Sequence, residues 1–321
     1  MPIPPSWIVQ TGRSIWTSIW QLMMSQLAPP NDLGEYQRPQ SEFRQRIEGR
    51  YTPQPNRYRL YVGWSCPWAH RTLVVRALKG LEQMIDVTIL PGDANAGGWV
   101  LPASEHGCQT LAQLYRFGQP GYTGRSTVPM LWDTQTYSIV NNESAEIIEL
   151  LNSEFNEYAE HPELDLAPVA LQDSIAHWNE IIYQTVNNGV YRCGFAQTQV
   201  AYDKAYTELF ATLDRVNDLL STQAYLCGDV LTLADIRLFT TLIRFDLVYN
   251  HLFKCNHRRI QDYPQLQTYL SNIYHLPGVA ATCNFQTILQ DYYSNLFPLN
   301  PGGIIPQLPD MSYLLKIKVS D

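Results

Sequence analysis

Apolar and polar positions follow two different rhythms in the two halves of this chain. Residues 57–64 (RYRLYVGW) are rich in Tyr, Leu and Val and predict a strand that runs straight into Ser65, Cys66 and Pro67. After them Leu73, Val74, Ala77, Leu78 and Leu81 recur at the 3.6-residue period of a helix that Gly80 loosens near its end. Pro67 suits the first helical position, where a backbone N–H would have no partner in any case. A second strand is expected over 86–90, followed by a stretch from 91 to 125 that is rich in Gly and Pro and longer than an ordinary connection. Residues 128–132 and 137–140, separated by Asp-Thr-Gln-Thr, predict a hairpin. A helix then opens near Asn142, Glu143 and Ser144 with Ile147, Ile148 and Leu151 on one side. The order is β-α-β, a long connection, then β-β-α.

Beyond Pro162 the strand signals fade and helical periodicity takes over at 171–187, 197–220, 232–249, 263–274 and 279–289. Thr232 and Asp235 stand three apart at the head of one of these segments, the spacing of a capping box, and are expected to be structural. Residues 298–309 read as an extended tail. At the other end, 15–24 is apolar and aromatic with no acidic residue before Asp32, too short to cross a bilayer and expected to dock as an amphipathic segment on the body of the protein.

With 321 residues, 45% of them hydrophobic, the chain can build two domains that each bury a core. A net charge of −8, with no basic run to offset it, argues against nucleic acid as a partner. The six cysteines, at 66, 108, 193, 227, 255 and 283, form no CxxC and no Cys/His pairing with zinc spacing, so no metal is expected. In a reducing compartment such thiols stay free unless one is catalytic.

One of them has a catalytic setting. A cysteine at the head of a helix meets unpaired N–H groups and the positive end of the helix dipole, which favour the thiolate that attacks. Cys66 precedes Pro67, Trp68 and Ala69, and Ala69 stands where a dithiol enzyme would keep its second cysteine. Any mixed disulfide at Cys66 therefore needs an outside thiol to resolve it. Val128 and Pro129 open the third strand, and Pro129 occupies the cis-proline position of a thioredoxin-like fold; there the main chain of Val128 is available to an extended peptide. Glu143 and Ser144, opening the next helix, offer N–H groups and a hydroxyl to a carboxylate and an acid to an ammonium. His70 and Arg71, one turn into the Cys66 helix, are expected to be structural.

The segments RYRLYVGWSCPWAHRTL, GYTGRSTVPMLWD, IVNNESAEII, YLCGDVLTLADIRLFTTLIRFDLVY, FKCNHRRIQDYPQL, DYY and NPGGIIP occur in that order. Through them, over about residues 33–309, the chain resembles the glutathionyl-hydroquinone reductases, the Xi class of glutathione transferases. The resemblance implies an α/β thioredoxin-like domain over 46–160 behind an extension at 1–45, and an all-helical domain with the C-terminal tail over 161–321. It implies glutathione as co-substrate, a Cys66 nucleophile that takes glutathione from glutathionylated hydroquinones, and glutathione contacts at Trp99, Arg125, Val128, Glu143 and Ser144. It places the hydroquinone pocket on Tyr191, Tyr292 and Tyr293, and implies a cytoplasmic homodimer without a membrane span. Two places depart from the family pattern: Asp291 and Asn295 replace histidines that usually flank the tyrosine pair, and Leu101 stands where Phe is usual. An omega-like thioltransferase or dehydroascorbate reductase, and a non-catalytic scaffold that binds an aromatic ligand, are the alternatives.

Overall fold

The computed structural model describes residues 5–315; residues 1–4 and 316–321, the outer ends of the expected extension and helical segment, lie outside the described residues. In chain order the elements are α1 (Ser6–Leu27), β1 (Tyr58–Val62), α2 (Pro67–Leu78), β2 (Ile85–Ile89), β3 (Gly92–Asp93), β4 (Gly98–Glu105), β5 (Cys108–Thr110), α3 (Leu111–Gly118), β6 (Met130–Asp133), β7 (Ser138–Asn141) and α4 (Ser144–Ser153). The helical half follows with α5 (Gln172–Ile182), α6 (Gly189–Gly194), α7 (Gln199–Leu219), α8 (Leu233–Arg244), α9 (Pro264–Tyr274) and α10 (Phe285–Asn295).

Tyr58, Leu60, Tyr61 and Val62 of β1 are all fully buried. A strand covered on both faces is written as a continuous apolar run, which is why the segment showed no alternation. Its neighbours are β2, parallel, with Leu60 opposite Val87, and β6, antiparallel, with Leu60 opposite Leu131. The four-stranded order is β2-β1-β6-β7. Helix α2 leaves the end of β1 and packs against both α4 and α8. The helix headed by Cys66 is thus clamped between its own domain and the helical one.

The long connection is more structured than the sequence suggested. Residues 92–118 hold a small antiparallel sheet, β3-β4-β5, and the helix α3. Helix α3 starts with a reciprocal cap: Thr110 Oγ1 accepts from the Gln113 N–H (3.3 Å), and Gln113 Oε1 accepts from the Thr110 N–H (3.1 Å). The strands are short and glycine-rich, so their pattern was hidden in the composition of a loop.

In the helical domain two π turns, Tyr183–Asn187 after α5 and Phe245–Tyr249 after α8, add a residue to the helical repeat and re-aim the side chains they carry. The last helix lies further along than its period implied: 280–282 forms a 3-10 turn, and α10 begins where Asn284 Oδ1 accepts from the Thr287 N–H (3.0 Å). The Thr232 and Asp235 pair caps α8. Asp235 is fully buried and accepts from the Thr232 N–H (2.8 Å) and hydroxyl (2.8 Å), the Leu226 N–H (2.8 Å) and the Tyr269 hydroxyl (2.9 Å).

The apolar N-terminal segment docks by one end. Met24 and Ala28 are fully buried, the Trp20 indole donates to the Pro298 carbonyl (3.2 Å), and Trp16 meets the edge of Phe297. The rest of α1 stands off the body, with Trp7 and Leu22 about two-thirds exposed. Among the described residues no helix is long and apolar enough to cross a membrane.

Candidate active site

Cys66 is the N-cap of α2, with extended backbone (φ −76°, ψ 115°) and Pro67 behind it. The Cys66 N–H closes a turn onto the Gly63 carbonyl (3.1 Å), and Gly63 has to lack a side chain because a Cβ there would overlap the Trp99 ring. The N–H groups of Ala69 and Trp68 are aimed at the sulfur, and Sγ lies 3.5 Å from the Val128 carbonyl oxygen. The Val128–Pro129 peptide is cis.

Arg244 reaches this turn from the helical domain. Its guanidinium, fully buried, donates to the carbonyls of Trp64 (2.8 Å), Ser65 (3.0 Å) and Thr240 (2.8 Å), and to His70 Nδ1 (2.9 Å). His70 Nε2 is bonded in turn to the Thr282 hydroxyl (2.8 Å). Burial, with the neighbouring Arg244 charge, holds the His70 pKa well below that of an ordinary imidazole, so the ring is neutral.

The Cys66 thiol does not behave as its helix position alone implied. Burial pushes its pKa up, which outweighs the opposing pull of the Ala69 amide, of Arg38 and Arg244, and of the Trp68 amide. The expectation of a thiol below the ordinary range is corrected: the sulfur is half-buried at the base of two cavities, and desolvation outweighs a few well-aimed dipoles.

Those cavities differ in chemistry. One is a polar cleft of about 280 Å³ that includes Arg38, Arg125, Thr127, Val128 and Asn142 in its walls. The other, about 460 Å³, is largely apolar and is lined by Tyr191, Phe195, Tyr292 and Leu296, with Asp93 and Asp291 beside them. Cys66, Trp99 and Arg125 line both. In the second cavity the Tyr191 and Tyr292 hydroxyls are 2.7 Å apart and the Tyr249 hydroxyl lies 3.0 Å from Tyr292. Burial raises the pKa of all three, leaving a neutral hydroxyl cluster. Among the described residues no group of three or more His, Cys, Asp or Glu could hold a metal ion.

Comparison with known proteins decides which family builds a site of this kind. Residues 65–154 match the glutathione S-transferase N-terminal domain, and residues 199–271 its C-terminal domain. The chain is 44% identical to the glutathionyl-hydroquinone reductase PcpF of Sphingobium chlorophenolicum, over 86% of this chain and 90% of that protein. It is also 44% identical to the glutathionyl-hydroquinone reductase YqjG of Escherichia coli, over 85% and 88%. The crystal structure of the glutathione transferase Xi from Phanerochaete chrysosporium superposes with a TM-score of 0.83 at 44% identity, covering 87% of this chain and 94% of that one. The chain belongs to the Xi class of glutathione transferases, the glutathionyl-hydroquinone reductase family. Its architecture is that of the superfamily, a thioredoxin-like domain followed by an all-helical one.

Within this Xi-class chain, the fold brings Trp99, Arg125 and Val128 around Cys66 on the polar side, and Tyr191 and Tyr292 on the apolar side. Three expected residues are placed elsewhere. Tyr293, one step round α10 from Tyr292, is buried outside the cavity lining, because adjacent helical residues point about 100° apart. Glu143 caps its own helix by accepting from the Ala145 N–H (3.0 Å), and it also accepts from the Ser41 hydroxyl (2.9 Å). Ser144 is buried, and its hydroxyl accepts from Arg71 (3.3 Å). Neither is among the residues lining the cleft, although Ser41, bonded to Glu143, and the preceding Asn142 are. Arg71, read as structural, also donates to Asn187 (3.0 Å) in the first π turn.

Arg38, Tyr249 and Arg244 were not singled out from the sequence. A signal existed for Arg244: it is a cation flanked by Ile243 and Phe245 at the end of the largely apolar α8, and a charge written into a core position needs a reason. Tyr249 had none, since the π turn that aims it is invisible to a 3.6-residue reading. Arg38, stacked 3.9 Å over the Trp68 ring, comes from the extension and reaches the cleft only through the tertiary fold.

Proposed function

We propose that this Xi-class transferase reduces glutathionyl-hydroquinones, with Cys66 as the nucleophile and glutathione as the final reductant. The observation that carries the reading is the position of one sulfur at the junction of a polar, guanidinium-bearing cleft and an aromatic, hydroxyl-bearing cavity. A glutathionyl-hydroquinone has the same two halves joined through the sulfur to be attacked. Relatives named glutathionyl-hydroquinone reductase at 44% identity support it.

Arg38 and Arg125 offer guanidiniums to the carboxylates of the tripeptide, Val128 its main chain, and Trp99 a cover spanning both halves. Glu143 and Ser144 hold the head of α4 next to this cleft. The Cys66 thiolate attacks the glutathionyl sulfur and the bond from that sulfur to the ring breaks. Its electron pair leaves with the ring, which takes up a proton and departs as hydroquinone, while glutathione remains disulfide-bonded to Cys66. A second glutathione, as thiolate, attacks that disulfide, releases glutathione disulfide and returns Cys66. Tyr191 and Tyr292, supported by Tyr249, hold the hydroquinone oxygens with neutral O–H groups and carry the proton. Sited at position 69, Ala leaves no internal thiol to compete with the second glutathione.

The test is turnover of a glutathionylated hydroquinone by wild type and Cys66→Ala. The variant should lose the activity and form no mixed disulfide by intact-mass spectrometry; undiminished turnover would overturn the mechanism. The omega-like reading has its own support in a 42% identical Schizosaccharomyces pombe relative named glutathione S-transferase omega-like 2. Dehydroascorbate and a small mixed disulfide, run beside the hydroquinone substrate, separate the two, and the tyrosine cluster favours the hydroquinone. A cytoplasmic homodimer follows from the same family reading, and sedimentation velocity tests its assembly.

A further inference from the structure

The charged groups lining the two cavities at Cys66 differ: Arg38, Arg125 and Glu42 in the polar cleft, and Arg125, Asp93 and Asp291 in the aromatic one. Arg38 lines the polar cleft, whereas the aromatic cavity has two carboxylates in its wall, one from each domain: Asp93 in β3, and Asp291 in α10, one residue before Tyr292. The position of each is fixed by hydrogen bonds. Asp93 Oδ1 accepts from the N–H groups of Asn95 (2.8 Å) and Ala96 (3.3 Å). One helical turn beyond Asp291, the Asn295 amide accepts from the Ala94 N–H (3.2 Å) and donates to the Gly92 carbonyl (3.4 Å). Asn295 thereby ties the segment bearing Asp93 to the helix bearing Asp291, and the two acids share one wall. Asp291 Oδ2 is covered and has no hydrogen-bond partner; the side chain bonds to Ser65, burial pushes its pKa up, and among the described residues it forms no ion pair.

The remaining cation at this cavity is Arg125, which lines the polar cleft as well. In the reading above it meets a carboxylate of the tripeptide. The cavity lining then presents Asp93, Asp291 and the Cys66 sulfur to the aromatic half of the substrate, and the nearby buried Arg244 is already bonded to the Trp64, Ser65 and Thr240 carbonyls and to His70. In a largely apolar cavity like charges repel far more strongly than in water, and a carboxylate brought in would also lose its hydration.

We propose that Asp291 and Asp93 are specificity-determining residues that restrict the aromatic cavity to rings without an anionic substituent, accepting neutral hydroquinones and rejecting ring carboxylates. The inference rests on the reading that this cavity receives the hydroquinone half of the Cys66 substrate.

The experiment compares kcat/KM for two glutathionyl-hydroquinones that differ only in a carboxymethyl group on the ring, using the full-length wild type, Asp291→Asn and Asp93→Asn under argon. Wild type should favour the neutral substrate by about tenfold or more. Each variant should shift the ratio toward parity, and the double variant should come closest to it. In parallel, calorimetry in saturating glutathione measures binding of hydroquinone and of 2,5-dihydroxyphenylacetate, the corresponding products, to the same proteins. If wild type turns over neither substrate but binds the neutral product better, and the Asn variants lose that preference, the reaction assigned above fails while the charge selection stands. Equal binding of the two products by wild type, or a preference that survives in all three variants, overturns the charge selection.

Discussion

Replacing Arg244 with Met should weaken both the Cys66 thiolate and the fold. The guanidinium holds three carbonyls, those of Trp64, Ser65 and Thr240, and the His70 ring nitrogen; none of these partners is charged. Losing the donors for three buried carbonyls costs about 1 kcal/mol each. Part of that about 3 kcal/mol returns because a cation without a counter-charge no longer has to be desolvated, so the net loss of stability should be about 1–2 kcal/mol. The effect on Cys66 has no such offset. Arg244 is one of two guanidiniums that pull the thiol pKa down against burial, and removing it should raise that pKa further and leave less thiolate at a given pH. The assay is the rate of iodoacetamide alkylation from about pH 6 to 10, read on the Cys66 peptide by mass spectrometry so that the other five cysteines do not contribute. Arg244→Lys keeps the charge but loses the planar fork that spans two carbonyls, and should retain most of the thiol shift while losing stability. A folded Arg244→Met protein whose Cys66 titrates as in wild type would refute the reasoning.

Three further outcomes follow from the same geometry. Gly63→Ala should push the Trp99 ring out of place, costing about 1–3 kcal/mol by overpacking and weakening glutathione binding, which calorimetry and thermal melts measure together. His70, buried between an Arg244 donor and the Thr282 hydroxyl, resists a second proton that the unfolded chain accepts near pH 6.5; stability should therefore fall as pH drops below about 6.5, approaching 1.4 kcal/mol per unit from this residue, and urea titrations should show that part of the slope gone in His70→Gln. Asp235→Ala strands the Leu226 and Thr232 amides and the Tyr269 hydroxyl in the core and should cost about 3 kcal/mol, a loss that a denaturation midpoint within 0.5 kcal/mol of wild type would contradict.

Local chemistry made much of this protein legible from its residues alone. The β1 run into Cys66 and Pro67, the hairpin from Val128, and the cap at Thr232 and Asp235 are each determined within about ten residues, by period, by proline geometry and by a side chain reaching its own backbone. The helix-head setting of Cys66 was readable for the same reason, since a helix head is a local object. What lay beyond reach depended on distant parts of the chain meeting. The pKa of Cys66 is set by how much solvent two domains exclude from it, and the wall around it draws Arg38 from the extension, Trp99 from a sheet hidden in a glycine-rich connection, and Asp291 from the last helix. Tyr292 lines the cavity and Tyr293 does not because of a 100° helical step, and Tyr249, carried by a π turn, reaches the Tyr292 hydroxyl. Desolvation, charge balance and side-chain aim are sums over neighbours that the order of residues does not list, and only the packed tertiary structure evaluates them.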